Sequence, residues 1–258
     1  MLIDVNAYIG HWPFRRLRLN TAEALVREMD RHGIDRAVVA NLHGVFYRNA
    51  HPANEELALA ARPFRDRLIP FGTLNPAYPG WEEDLRRCAE ELNLRGLRLY
   101  PQYHGYKLVE EAALALVDAA VELGWAVQVP MRLVDRRGRH PMDLGEDLLP
   151  ADFEAAIAAR PHARWMVLAS AGLDGRRLPP EATCAIEISR LTAVLRRDIQ
   201  RLLEGVGPER VVWGTGMPLN MAAPALLRLQ ALDVDDEVRD RIAWRNAAEM
   251  LGLDELLS

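Results

Sequence analysis

The sequence predicts an α/β fold, a single (β/α)8 TIM barrel spanning residues 1–258, and three observations carry that prediction. Eight short aliphatic or β-branched runs recur along the chain, and each is followed by a helical pattern or a connection long enough to hold one. The length of 258 residues matches one barrel of about 250 residues. Strict alternation of β and α units requires parallel strands joined by right-handed crossovers, in an open doubly wound sheet or a closed barrel. Eight units favour closure, and no Gly-rich dinucleotide fingerprint follows the first strand.

The strands are expected at 2–5, 36–42, 68–74, 96–100, 126–129, 165–169, 184–189 and 211–213. In the first helix, 21–32, Ala22, Leu25, Val26 and Met29 fall on one stripe, and Asn20 with Glu23 offers a capping pair. Comparable patterns predict helices at 53–61, 81–92, 110–123, 152–159, 192–203, 224–229 and 236–251. No linker or low-complexity tract divides the chain. The segment 131–150 is the longest strand-to-helix loop, and long ordered loops on a barrel tend to form lids or binding loops.

Half of the residues are hydrophobic, enough for a sizeable core. The 32 basic and 37 acidic residues give a net charge of −5 with no long run of either sign, so no nucleic-acid partner is expected. No apolar stretch approaches about 18 residues, and no basic region with an apolar run opens the chain, so neither a membrane span nor a secretory signal is expected. Cys88 and Cys184 are the only cysteines. They are too few for a disulfide framework or a Cys-rich zinc site, and a reduced cytoplasmic setting is the expectation.

With the strands placed, the chain resembles the amidohydrolase superfamily, in particular the group containing aminocarboxymuconate-semialdehyde decarboxylase. The resemblance rests on residues 3–10 at strand 1, 96–101 at strand 4, 165–172 at strand 6 and 211–218 at strand 8, the last being similar to a Gly-Ser-Asp-x-Pro ending. It implies a metal site at the C-terminal mouth of the barrel. The family's ligands are a His-x-His on strand 1, histidines ending strands 5 and 6, and an Asp ending strand 8. The matching positions here hold Asn6 and Tyr8, Pro130 with Gln128 beside it, Ser170 and Gly216. A carboxamide and an un-ionised phenol are poor ligands for a divalent transition metal. The expectation is therefore no metal and no cofactor.

Function in a barrel belongs to the strand C-termini and the loops after them. His11, His43, His51, His104 and His140 fall on that side, without the spacing of a metal pair. On strand 4, outward Leu97 and Leu99 turn Arg98 and Tyr100 inward. There Arg98 could hold a substrate carboxylate or pair with an internal acid such as Glu187. On strand 7, Ile186 and Ile188 face the helices and send Glu187 inward, either as a balanced charge or as a general base with a raised pKa. Trp12 and Phe14 could line a pocket, or could merely cover the rim or join a subunit contact.

The expected catalytic residues are Glu187 and His104, to activate water, and Tyr8, to polarise a carbonyl. The expected substrate-binding residues are Asn6, His11, Arg98, Tyr100, Gln128, Arg132, His140, Ser170 and Thr215. The reaction expected is metal-independent hydrolysis of a small carboxylated lactone, because the family includes a lactonase for 2-pyrone-4,6-dicarboxylate that needs no divalent metal. The alternatives are an inactive barrel that binds a small organic anion or a partner subunit, and decarboxylase or hydratase chemistry in the same pocket. The partner expected is a small organic anion, and the resemblance implies a homodimer.

Overall fold

The computed structural model describes every residue except Asp174, Leu195 and Ser258. Eight parallel strands run in chain order around a barrel: β1 Ile3–Ile9, β2 Arg36–Asn41, β3 Leu68–Pro70, β4 Gly96–Arg98, β5 Ala126–Pro130, β6 Arg164–Leu168, β7 Cys184–Glu187 and β8 Val211–Val212. Strands β1 to β3 form one ladder and β4 to β8 another. Two seams close the cylinder. Gly72 N–H donates to the Gly96 carbonyl and Arg98 N–H to the Gly72 carbonyl, each at 2.8 Å. At the other seam Tyr8 N–H donates to the Met217 carbonyl and Gly216 N–H to the Asn6 carbonyl, each at 2.7 Å.

The longer helices are α1 Ala22–His32, α2 His51–Ala61, α3 Trp81–Glu90, α5 Glu111–Glu122, α6 Pro150–Ala159, α7 Asp198–Val206 and α8 Ala222–Gln230. Shorter ones are α4 Pro101–His104, α9 Asp236–Asp240 and α10 Asn246–Leu251, the last two joined by a π-helical turn. The predicted helix 192–203 begins later than expected, at Asp198, and its Leu195 lies outside the described residues. Helix α1 shows why such segments form. Thr21 caps it by accepting from Ala24 N–H, and Ala22, Leu25, Val26 and Met29 are its buried stripe.

Alternation sorts the side chains into two layers. Leu97, Leu99, Val127, Val129, Ile186 and Ile188 belong to the outer core beneath the helices. Ile3, Val5, Val38, Ile69, Phe71, Met166, Leu168 and Val212 fill the lumen with Ala247 and Met250 of α10. Arg98, Tyr100, Gln128 and Glu187 are correspondingly turned inward and buried. Strand β1 departs from strict alternation. Its pairing slips between Asp4 and Ala7, so Val5 belongs to the lumen while Ala7 and Ile9 belong to the outer core. The slip lets Asn6 reach inward although its neighbour Val5 does too.

Candidate functional site

At the C-terminal end of the lumen, a polar layer lies between the apolar interior and an aromatic cap. Glu187, fully buried on β7, organises it. Its Oε2 accepts from Asn6 Nδ2 at 3.2 Å, from Ala169 N–H at 2.7 Å and from Ser189 Oγ at 2.9 Å, while Oε1 accepts from Ser189 N–H. Three of these donors crowd onto Oε2, while Oε1 accepts one and keeps a second lone pair. Burial raises the pKa of Glu187, and these hydrogen bonds pull it back. Any water that Glu187, expected as the base, would deprotonate has to compete with these protein donors, and only Oε1 keeps acceptor capacity. Asp4 is a second buried carboxylate, likewise raised by burial. Its Oδ1 accepts from Asn6 N–H and Thr215 N–H, each at 2.9 Å, and its Oδ2 from the Thr215 hydroxyl. Thr215, expected to bind substrate, is thus occupied with tying strand 8 to strand 1. Gly214 is needed here because a Cβ would stand 2.9 Å from both Asn6 Cβ and Glu187 Cγ.

Arg98 corrects both readings of the sequence. Its guanidinium is fully buried and bonds neither Glu187 nor any open space. Nε donates to Gln128 Oε1 at 2.8 Å, Nη1 to the Ala7 carbonyl at 2.7 Å, and Nη2 to the carbonyls of Val5 at 3.1 Å and Val38 at 3.3 Å. The Tyr8 ring covers it, 4.6 Å from Cζ to centroid. Gln128, expected at the substrate, completes this brace by donating to the Val5 carbonyl at 2.9 Å. Together they tie β1, β2, β4 and β5 across the lumen.

Three oxygens in the layer are buried without a partner: Asn6 Oδ1, Ser170 Oγ and the Tyr100 hydroxyl. Asn6 and Ala169, next to Ser170, share the same Glu187 oxygen, so the first two flank one carboxylate. Ala169 holds a positive φ of 49°, an uncommon backbone for a residue with a side chain, stored beside the site. Burial keeps the Tyr8 phenol protonated, pushing its pKa up to about 12, and raises that of Tyr100 as well. His104 lies to one side. Its Nε2 meets the Gly44 carbonyl at 2.9 Å, which makes Nε2 the donor and leaves Nδ1 a buried acceptor without a partner. Burial lowers its pKa, so the imidazole is neutral.

Above the layer, Trp12, Phe14, Phe46 and Tyr103 pack edge to face with centroid distances of 5.1–6.4 Å, and His140 stacks on Phe14 at 5.2 Å. Trp12 is only 4 % exposed and packs with Tyr8, Tyr100, Leu133, Val134 and Leu219. The aromatics thus close the mouth, and His140 belongs to the outside of that cap. His11 is displaced too: it is exposed, stacks on His43 at 5.6 Å and faces Asn20. Arg132 pairs with Asp147 at 3.0 Å, as do Arg136 and Arg139, so one carboxylate gathers much of the basic loop after β5.

Arg190, in the loop after β7, was not anticipated. It is largely buried, 3.5 Å from Asp135, donates to the Leu133 carbonyl at 3.2 Å and lies in the field of Glu187 and Tyr8. Its Nε has no partner. The only signal for it in the sequence was its place three residues after Glu187. The loops at this end, 10–21, 42–50, 71–80, 99–110, 131–149, 188–197 and 213–221, hold twelve Lys and Arg against five Asp and Glu. An excess of seven positive charges on a chain of net −5 makes the mouth the cationic end of the molecule.

A (β/α)8 barrel with its polar layer at the strand C-termini defines the class of protein. The chain belongs to the amidohydrolase family, whose profile matches residues 8–253. Its fold is similar to 5-carboxyvanillate decarboxylase from Sphingomonas paucimobilis, with 16 % identity, 97 % of this chain and 98 % of that one covered, and a TM-score of 0.71. It is also similar to 2,6-dihydroxybenzoate decarboxylase from Rhizobium, at 14 % identity, 98 % and 99 % coverage and 0.74. A dihydroxybenzoic acid decarboxylase from Polaromonas with bound manganese matches at 14 % identity, 98 % and 97 % coverage and 0.73. The positions that the sequence resemblance assigns to the family's metal carry donors that fit a divalent ion poorly. They are an amide, a phenol, a hydroxyl, a proline and a glycine, and the two nearby carboxylates already accept from protein donors. Among the described residues no three His, Cys, Asp or Glu side chains group as a metal site. Gly216, the position the resemblance assigns to the family's Asp, has a φ of 75° and abuts Asn220, so a side chain there would be strained and crowded.

Among the described residues no helix is long and apolar enough to cross a membrane.

Proposed function

We propose that the chain binds a small carboxylated ring compound in the polar layer under the aromatic cap, without a divalent metal, and that Glu187 organises this site rather than abstracting protons. The unpartnered oxygens of Asn6, Ser170 and Tyr100 carry the reading. Each such group costs about 1–3 kcal/mol when left unsatisfied, so the layer is suited to a polar guest. The cationic mouth favours an anion, Arg190 supplies an incompletely bonded guanidinium in the field of Glu187 and Tyr8, and the cap of Trp12 and Phe14 suits a flat ring.

Of the reactions open to such a guest, decarboxylation suits this site better than lactone hydrolysis. Hydrolysis needs a base with a free lone pair beside water; Glu187 is held by four protein donors, and the unpartnered His104 Nδ1 lies at the edge of the site. Replacing a ring carboxylate by hydrogen needs a proton donor at the ring carbon, and the Tyr8 phenol stays protonated at neutral pH. The proton adds to carbon, the carbon–carboxylate bond breaks, and carbon dioxide leaves. The similarity to decarboxylases of hydroxybenzoates agrees with this order.

The test is a panel of hydroxybenzoates and carboxylated pyrones, with melting temperature and product formation measured on metal-analysed protein. A binding anion at 100 times its Kd should stabilise the fold by about 2.7 kcal/mol, and Arg190→Gln should weaken it. If no anion stabilises the protein, or if Arg190→Gln changes nothing, the binding proposal fails. If product forms equally in Tyr8→Phe, the assignment of the proton donor fails. Activity that requires a stoichiometric divalent ion would overturn metal independence.

A further inference from the structure

The root of the aromatic cap is fastened by one histidine whose two ring nitrogens face groups of fixed hydrogen-bonding sense. His43, in the loop after β2, has Nδ1 2.7 Å from Glu56 Oε2 of α2 and Nε2 3.0 Å from the backbone N–H of His11. A carboxylate only accepts and a backbone N–H only donates, so Nδ1 carries the proton and Nε2 is the acceptor. These are the contacts of a neutral imidazole. His11 opens the loop 10–21, and the next residue, Trp12, packs against Phe14, Phe46 and Tyr103 in the cap. The chain passes tightly over β2 to reach His43. Gly10 has a φ of 92°, and a Cβ there would overlap Asn41 Oδ1.

The His11 ring stacks on that of His43, with centroids 5.6 Å apart and planes 12° from parallel, and its Nδ1 lies 3.1 Å from Asn20 Nδ2. Both rings line a surface recess of about 200 Å³, so protons reach them from solvent. The other titratable groups that face them are Glu56, Glu23 of α1 in the same recess, and Tyr47, whose ring centroid is 6.1 Å from that of His43. The hydrogen bond from His43 holds the Glu56 carboxyl below its usual range, so it stays charged where imidazoles titrate.

We propose that His43 is a pH-sensitive latch: neutral, it holds loop 10–21 and the cap closed, and as an imidazolium it releases His11. A proton taken from solvent sits on Nε2 and points at another N–H 3.0 Å away, and two donors cannot share that line. Glu56 decides which contact breaks. Its carboxylate gains from a positive ring, so the imidazolium keeps Glu56 and gives up His11. If the stacked His11 ring is protonated too, the two like charges repel and push the same way. The backbone next to Trp12 is then untied, and the cap loosens in acid.

The test is NMR on the full chain across the imidazole range, following hydrogen exchange of the His11 amide, corrected for intrinsic exchange, and the chemical shift of the Trp12 indole N–H. Protection of the His11 amide should fall by about tenfold on acidification through that range, as one imidazole-linked bond is lost, and the Trp12 indole should shift with the same midpoint. His43→Gln keeps a donor for Glu56 and an acceptor for the His11 N–H but gains no proton, so its protection should stay constant. Glu56→Gln keeps an acceptor for Nδ1–H and removes the charge that favours the imidazolium, so its loss of protection should move to lower pH. Both side chains are partly exposed, so both variants should fold. The proposal is overturned if protection in the parent does not change with pH, or if His43→Gln shows the same loss, which would assign it to His11. It is also overturned if Glu56→Gln moves the loss to higher pH, or if the His11 amide opens while the Trp12 indole stays put. No ligand enters the measurement, so the latch and the reading of what binds at the mouth can fail separately.

Discussion

Substituting Arg98→Met separates a substrate clamp from a structural brace. Methionine keeps much of the length and apolar bulk but removes every donor. Four bonds disappear, those to Gln128 Oε1 and to the carbonyls of Ala7, Val5 and Val38. The Val5 carbonyl keeps its bond from Gln128 Nε2, whereas Gln128 Oε1 loses its donor. Breaking a buried charged interaction by removing one partner typically costs about 3–5 kcal/mol, and the cation over the Tyr8 ring is lost as well. At about 2–4 °C per kcal/mol for a chain of this size, the melting temperature should fall by roughly 6–20 °C. Arg98→Lys should recover only part, because an ammonium cannot span three strands with a planar fork. The assay is denaturant unfolding at constant pH, with the ligand panel run on the same samples. A variant within about 1 kcal/mol of the parent that has lost anion binding would refute the brace and restore the clamp.

Three further outcomes follow from the same geometry. Gly216→Asp, which restores the family's acid, should cost more than about 1 kcal/mol from its left-handed backbone alone and should gain no stoichiometric metal; an unaltered melting temperature or a tightly bound divalent ion would contradict this. Because burial raises the pKa of Glu187 above its unfolded value, its share of stability is greatest in acid and is lost as pH rises through the folded pKa. The unfolding free energy of the parent minus that of Glu187→Gln should therefore fall as pH is raised above the ordinary carboxylate range, and a rise would show that hydrogen bonding outweighs burial. Trp12→Ala should destabilise by about 3–5 kcal/mol and speed entry of a small carboxylate in stopped-flow binding; an unchanged association rate would mean that the cap does not gate the site.

Much of the frame was legible in the sequence because it is local. The period of two along 97–100 and 186–189 turns Arg98, Tyr100 and Glu187 inward whatever the rest of the chain does. The stripe of Ala22, Leu25, Val26 and Met29 marks a helix with one buried face. Eight such units in 258 residues leave little but a barrel. That Asn6, Tyr8, Ser170 and Gly216 stand at or near strand ends is likewise read from the sequence once the strands are placed. Knowing that a group points inward does not say what it meets there. The carbonyls that occupy Arg98 lie 60 to 93 residues away, and the donors that bond Glu187 come from β1, the loop after β6 and its own loop. His11 and Thr215 follow strand ends, as the sequence placed them, but stacking on His43 and a hydrogen bond to Asp4 settle what they touch. Closure of the mouth depends on three loops meeting at Trp12, Phe46 and Tyr103, and no periodicity encodes that meeting. The sequence by itself determined the direction of side chains wherever a strand alternates regularly, as in β4 and β7, because direction there follows from the backbone period. Only the tertiary structure decided its partners, because in a closed barrel these are brought together by strands distant along the chain.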